Sequence, residues 1–137
     1  MPVKPTMVTR IIGSVVILRE SNDTPTDEEW DGILRILSDN QANLANLKFL
    51  VVTDGGGPNH TQRKRLERVL GGRSVRVAVV TDSAKSRFIA SAVSLINRDH
   101  AGFSTKEIEG AYEHLRMNPL ERRQAEVALR EMDPLIK

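Results

Sequence analysis

The sequence predicts an α/β fold: a mixed, mainly parallel sheet with flanking helices. Three observations carry this. Residues 47–53 (LKFLVVT) and 75–81 (VRVAVVT) are short, nearly continuous apolar runs, the pattern of parallel strands covered on both faces. Each run is followed by an aspartate, Asp54 or Asp82, and passes directly into a turn and a helical stretch. Strand-like and helix-like segments alternate along the chain, as βαβ units require. With a single helix between them, the two runs should be neighbouring parallel strands in the interior of the sheet, joined by a right-handed crossover.

The remaining elements follow in order. Residues 1–10 read as a flexible lead-in containing Pro2 and Pro5. Residues 11–19 (IIGSVVILR) read as one strand or a strand pair, with Gly13 and Ser14 as a bulge or hairpin turn. Residues 20–24 are polar and loop-like. Thr26-x-x-Glu29 forms a capping box; Thr24 as cap with Pro25 at the first helical position is the alternative start. The helix that follows runs to about residue 38, with Trp30, Ile33, Leu34 and Leu37 on one face. Asp27, Glu28 and Glu29 complement its positive end. Residues 39–46 read as a polar loop.

After the first apolar run, Gly55, Gly56 and Gly57 permit backbone angles that a Cβ resists. Pro58 has a fixed φ and Asn59 is a good N-cap. The helix after it carries Leu66, Val69 and Leu70 on one side and Lys64, Arg65 and Arg68 on another, and Gly71-Gly72 ends it. Residues 85–97 are a helix with Phe88, Ile89, Ala92, Val93 and Ile96 inward. Residues 101–103 suit a short edge strand. Ser104-x-x-Glu107 is a second capping box, and its helix carries Ile108, Ala111, Tyr112 and Leu115. Asn118-Pro119 opens a last helix that ends near Asp133-Pro134. The organisation expected is one domain over residues 11–117, with a C-terminal helix over 118–137 packed on it or extending it.

Composition narrows the function classes. The chain has 137 residues, 39% apolar and 28% charged, an ordinary globular balance for one domain. No apolar run approaches the roughly 18 residues of a membrane span, and no stretch suits a signal peptide, so a cytoplasmic protein without a membrane span is expected. There is no cysteine, which removes disulfides, thiol catalysis and cysteine metal sites. His60, His100 and His114 do not fall in a zinc spacing, so neither a metal nor a cofactor is expected. A net charge of +2, with no aromatic residue interleaved among the basic ones, gives no reason to expect nucleic acid.

Several strings, taken in order, resemble a known family: Thr26-Asp-Glu-Glu-Trp30, Val52-Thr-Asp-Gly-Gly-Gly-Pro-Asn59 with Gln62-Arg63 after it, Val75-Arg-Val-Ala-Val-Val-Thr-Asp-Ser83, and Ala101-Gly-Phe-Ser-Thr-Lys-Glu-Ile108. Together they are similar to the STAS superfamily, in particular its SpoIIAA-like branch and the small stand-alone bacterial type. The likeness covers roughly residues 11–115. It implies a non-catalytic regulatory module of the anti-sigma-factor antagonist kind. Such a module binds a partner protein, often a kinase or anti-sigma regulator, and is switched by phosphorylation. The phosphorylated serine of the family lies in an Asp-Ser-Ser-Gly type motif at the start of the helix after the central strand. This chain reads Pro58-Asn-His-Thr61 there, which makes Thr61 its candidate phosphorylation site.

Three classes of site stay open. The first is a partner-binding surface formed by Gly55, Gly56, Gly57, Asn59, His60 and Thr61 with the basic residues Lys64, Arg65 and Arg68, facing an acidic protein. The second is a small enzyme or a phosphate- or nucleotide-binding protein using the glycine loop with Asp54, Asp82 and Ser83, as an anion or metal site. The glycines match neither of the common phosphate-loop patterns, and aspartates at strand ends also serve as turn caps. The third is binding of a lipid or another apolar ligand, because the SpoIIAA-like group resembles lipid-carrying α/β folds. A deep apolar pocket would favour the third reading, a polar cleft the second and a flat surface the first.

Overall fold

In a computed structural model, which describes residues 4–136, five strands form one sheet in the order β1-β2-β3-β4-β5. They are β1 (Met7–Ile12), β2 (Val15–Glu20), β3 (Lys48–Thr53), β4 (Arg76–Val80) and β5 (His100–Phe103). β1 and β2 form an antiparallel hairpin, and every later pairing is parallel. The hairpin resolves the choice at Gly13, whose φ of +60° is the left-handed turn conformation that glycine adopts without strain. β3 and β4 are parallel neighbours inside the sheet, with Phe49 opposite Val77 and Val51 opposite Val79, as their apolar runs require.

Strand order rises steadily across the parallel part of the sheet. Crossovers of one hand then bring α1 (Asp27–Asp39), α2 (His60–Leu70) and α3 (Ala84–Ser94) to one face. The other face is covered by α4 (Ile108–His114) on β4 and β5 and by α5 (Pro119–Ile136) on β1 and β2. Side chains alternate between the faces with period two. Val16, Leu18, Phe49, Val51, Val77 and Val79 meet α1–α3, whereas Val15, Ile17, Leu50, Ala78 and Val80 meet α4 and α5.

Four expectations change. The lead-in gives way to β1 from Met7, because the Glu29 carboxylate accepts the amides of Thr6 (3.0 Å) and Met7 (3.1 Å) and ties the chain to the start of α1; Pro2 lies outside the described residues. Glu20 is the buried end of β2 rather than part of a loop, because both faces of that strand are covered. The stretch 39–46 contains a 3₁₀ turn, Gln41–Asn46, which buries Leu44. The last helix runs through Pro134 to Ile136, whose burial keeps the final turn in place although Pro134 supplies no N–H. Both capping boxes are present: Thr26 closes on Glu29, and Ser104 closes on Glu107 over a 3₁₀ turn, Thr105–Glu107, ahead of α4.

Candidate functional site

The glycine loop is interior. Gly55, Gly56 and Gly57 are all buried, and none has a positive φ. Close approach, not backbone angle, requires them. A Cβ on Gly56 would collide with the Asp23 carbonyl oxygen, one on Gly55 with Asn22 Oδ1, and one on Gly57 would lie 2.9 Å from Ile89 Cγ2. The loop's polar groups are committed. Gly55 N–H donates to Thr53 Oγ1 (3.2 Å) and Gly56 N–H to the Ser21 carbonyl (2.8 Å). The Gly56 carbonyl accepts the hydroxyls of Thr53 and Ser86, each at 3.0 Å. These amides therefore tie three segments together and do not form an open anion cradle.

Asn59 caps α2: its Oδ1 accepts the Gln62 amide (2.8 Å), and Gln62 Oε1 accepts the Asn59 amide (3.0 Å). His60 and Thr61 are exposed in the first turn. On the basic side of α2, Lys64 and Arg68 are exposed, Lys64 within 3.6 Å of Glu67, whereas Arg65 is half-buried in an ion pair with Asp31 of α1. Of the basic residues expected to face a partner, Arg65 is thus already engaged in joining two helices.

The aspartates at the strand ends have separate partners. Asp54 Oδ1 accepts Arg19 Nη2 at 2.9 Å, and buried Arg19 also reaches Asp133 of α5 through Nε (2.7 Å). Asp82 accepts the Thr105 hydroxyl (2.6 Å) and amide (3.0 Å), and these bonds hold its carboxyl below the usual carboxylate range. Ser83 is the N-cap of α3, its Oγ accepting the Ser86 amide at 3.2 Å. Among the described residues no three His, Asp or Glu side chains are grouped to hold a metal, and no helix is long and apolar enough to cross a membrane.

A second feature lies deeper. Between the sheet and α1–α3 runs a cavity of about 70 Å³ with apolar walls, among them Leu18, Val51 and Val79 from the strands and Trp30, Leu66 and Ala90 from the helices. Both of its ends are polar. At the carboxyl edge of the sheet stand Glu20, Thr53 and Ser86. Glu20 is 3% exposed, and burial pushes its carboxyl up to about 7. At the amino edge stand Asn97 and His100. Asn97 is 1% exposed; its Oδ1 accepts the Val75 amide (2.9 Å), while Nδ2 and both ring nitrogens of His100 have no hydrogen-bond partner. Burial pushes the His100 imidazole down to about 4. On the far side of Val79, Ala90 and His100 lies a more polar surface groove of about 290 Å³ between α3 and β5, bordered by Arg87, Ser91 and Ser94.

The outer face of α3 also departs from expectation. Phe88 is 77% exposed, and Leu95 at the helix C-cap is 86% exposed. The buried side of α3 is Ser86, Ala90 and Val93, a helical stripe turned away from Phe88. Sequence reasoning missed Glu20, Asn97 and His100 as well. Extending the alternation Val16, Leu18 by one step places Glu20 on the covered face, and starting β5 one residue earlier does the same for His100; nothing local marks Asn97. Compared with family models, curated proteins and solved structures, the chain matches none of them.

Proposed function

We propose that this chain is a non-catalytic, regulatory protein-binding module of the STAS kind, working in the cytoplasm. The observation that carries the reading is the exposed apolar pair on α3, Phe88 and Leu95. Large apolar groups held in water are the usual anchors of protein interfaces. Phe88 lies in the second turn of α3, at the carboxyl edge of the sheet where α2 also begins, so the exposed His60, Thr61, Lys64 and Arg68 extend the surface with positive charge. A partner with an apolar socket and an acidic rim fits it. A phosphate on Thr61 would add about two negative charges there and oppose such a partner. The enzyme reading has less behind it, since Asp54, Asp82, Ser83 and the amides of Gly55 and Gly56 all hold the fold together.

The test is affinity capture from a cell lysate with Phe88→Ser, with Lys64→Glu/Arg68→Glu and with Thr61→Glu. Arg65 is left intact because of its Asp31 pair. Loss of the same captured protein with the first two variants, with melting temperatures kept, supports the reading. An unchanged catch sinks it, as does nucleotide or ester turnover that disappears with Asp54→Asn or Asp82→Asn.

A further inference from the structure

We propose that the cavity beneath α1–α3 binds a small aliphatic carboxylic acid, its carboxyl group held by Asn97 and His100 and its hydrocarbon chain by the apolar walls. The proposal is independent of the protein-binding surface on α2 and α3.

The chemistry of the amino-edge end selects the head group. Buried polar atoms in folded proteins nearly always have partners, because an unpaired one forfeits its solvation. Here three buried nitrogens stand together at the same cavity end without one. The Val75 amide fixes the Asn97 side chain by its oxygen, so the NH₂ is what remains for a ligand. A neutral imidazole presents one donor and one acceptor. Two neighbouring donors match the paired oxygens of a carboxyl group better than the single oxygen of an alcohol. The opposite end does not suit an acid: Glu20 already places a carboxyl there, and the Thr53 and Ser86 hydroxyls are bonded to the Gly56 carbonyl.

The walls and the volume select the tail. A dry cavity of about 150 Å³ accepts benzene. The 70 Å³ here is about half of that, room for about four heavy atoms, a carboxyl group with one or two carbons beyond it. Access follows from three shared residues. Val79, Ala90 and His100 line both the cavity and the groove between α3 and β5, so the His100 ring stands between the interior and solvent. Arg87 and the Glu107 carboxylate both line that groove and offset each other in charge, so entry is set by the His100 ring and not by electrostatic steering.

The experiment is a titration of the full chain with straight-chain carboxylates from acetate to octanoate and with the matching primary alcohols. Amide spectra follow the Asn97 side-chain NH₂. The expected result is a saturable shift of that signal, strongest at acetate or propanoate, with Kd of about 1 mM or lower, and alcohols weaker by about tenfold or more. Ala90→Leu, which fills the cavity, should weaken propanoate by at least about tenfold. Asn97→Asp, which keeps the acceptor for Val75 but replaces the NH₂ by a carboxylate, should abolish binding. If Ala90→Leu does not fold, Val79→Ile serves the same purpose. The proposal is overturned by any of three outcomes: no saturation with any acid; affinity that climbs through octanoate and ignores the filling variants; or a long-lived water on the Asn97 NH₂ that no acid displaces.

Discussion

The two faces of the sheet bury similar kinds of residue and pack them to different ends. Under α4 and α5, Ile17, Leu50, Tyr112, Leu115, Met117 and Met132 interlock into one apolar cluster. Under α1–α3, the cluster built on Trp30, Leu37, Phe49 and Leu70 surrounds a cavity with a carboxyl at one end and an amide and an imidazole at the other. Small residues are used differently too. Ala125 and Ala128 let α5 approach β1 and β2 closely, whereas Ala90 faces the void. Close packing maximises dispersion and burial. Leaving a void and buried titratable groups sacrifices stability, and such sacrifices concentrate where a protein binds something.

Truncation and filling should therefore act oppositely on the two faces. Leu115→Ala, in the filled cluster, should cost about 3–5 kcal/mol in denaturant melts. Ala90→Leu, into the cavity, should cost less than about 1 kcal/mol or stabilise. Similar losses from both would show that the α1–α3 face is as tightly packed as the other.

At the carboxyl edge of the cavity face, Gly56→Val should cost about 3 kcal/mol, because its side chain would be driven against the Asp23 and Ser21 carbonyls. Gly71→Ala, at a φ of +58° with open space around it, should cost only about 1 kcal/mol. Reversal of that order would mean that backbone angle, not contact, limits the loop.

The buried titratable groups make opposed contributions to stability. Glu20 has its carboxyl raised in the fold from 4.5 to about 7. Its contribution is present below 4.5 and is lost as the pH rises through 7. His100 is lowered from 6.5 to about 4, so its contribution is present above 6.5 and is lost as the pH falls through 4. Each amounts to about 3 kcal/mol at most, and over the shared window they offset each other. Glu20→Gln should leave stability that rises with pH up to about 6.5, and His100→Phe stability that falls with pH up to about 7. Parallel pH profiles for the two variants would show that one of the groups is solvated.

A small loss is expected at the start of α4 as well. Ser104→Ala removes the cap ahead of α4 and should cost about 1 kcal/mol, seen as a lower unfolding midpoint.

What the sequence made legible follows the range of the interactions involved. The apolar runs at β3 and β4 and the capping box at Ser104 are local signals, and each appears where its pattern places it; Gly13 was legible as a turn or a bulge and Thr26 as one of two caps, whereas most of β1 read as lead-in. The faces of α3 are not a local property. Phe88 and Ile89 are adjacent apolar residues, and only the position of the sheet decides that Ile89 packs inward and Phe88 faces water. The glycine loop was legible as a turn but not as a close-packed one, because the Ser21, Asn22 and Asp23 groups that crowd it arrive from another connection. The cavity was illegible for the same reason: Glu20 lies far in sequence from Asn97 and His100, and three crossovers bring the two ends to one space.

The contrast between the two faces is tested most directly by crystals of the protein held under xenon pressure. Xenon occupies dry apolar cavities without needing a polar partner. A xenon site is expected between the sheet and α1–α3, among Leu18, Val51, Val79 and Ala90, with no site among Leu50, Tyr112, Leu115 and Met132 and loss of the first site in Ala90→Leu. Xenon within the α4–α5 cluster, or none beneath α1–α3, would contradict it.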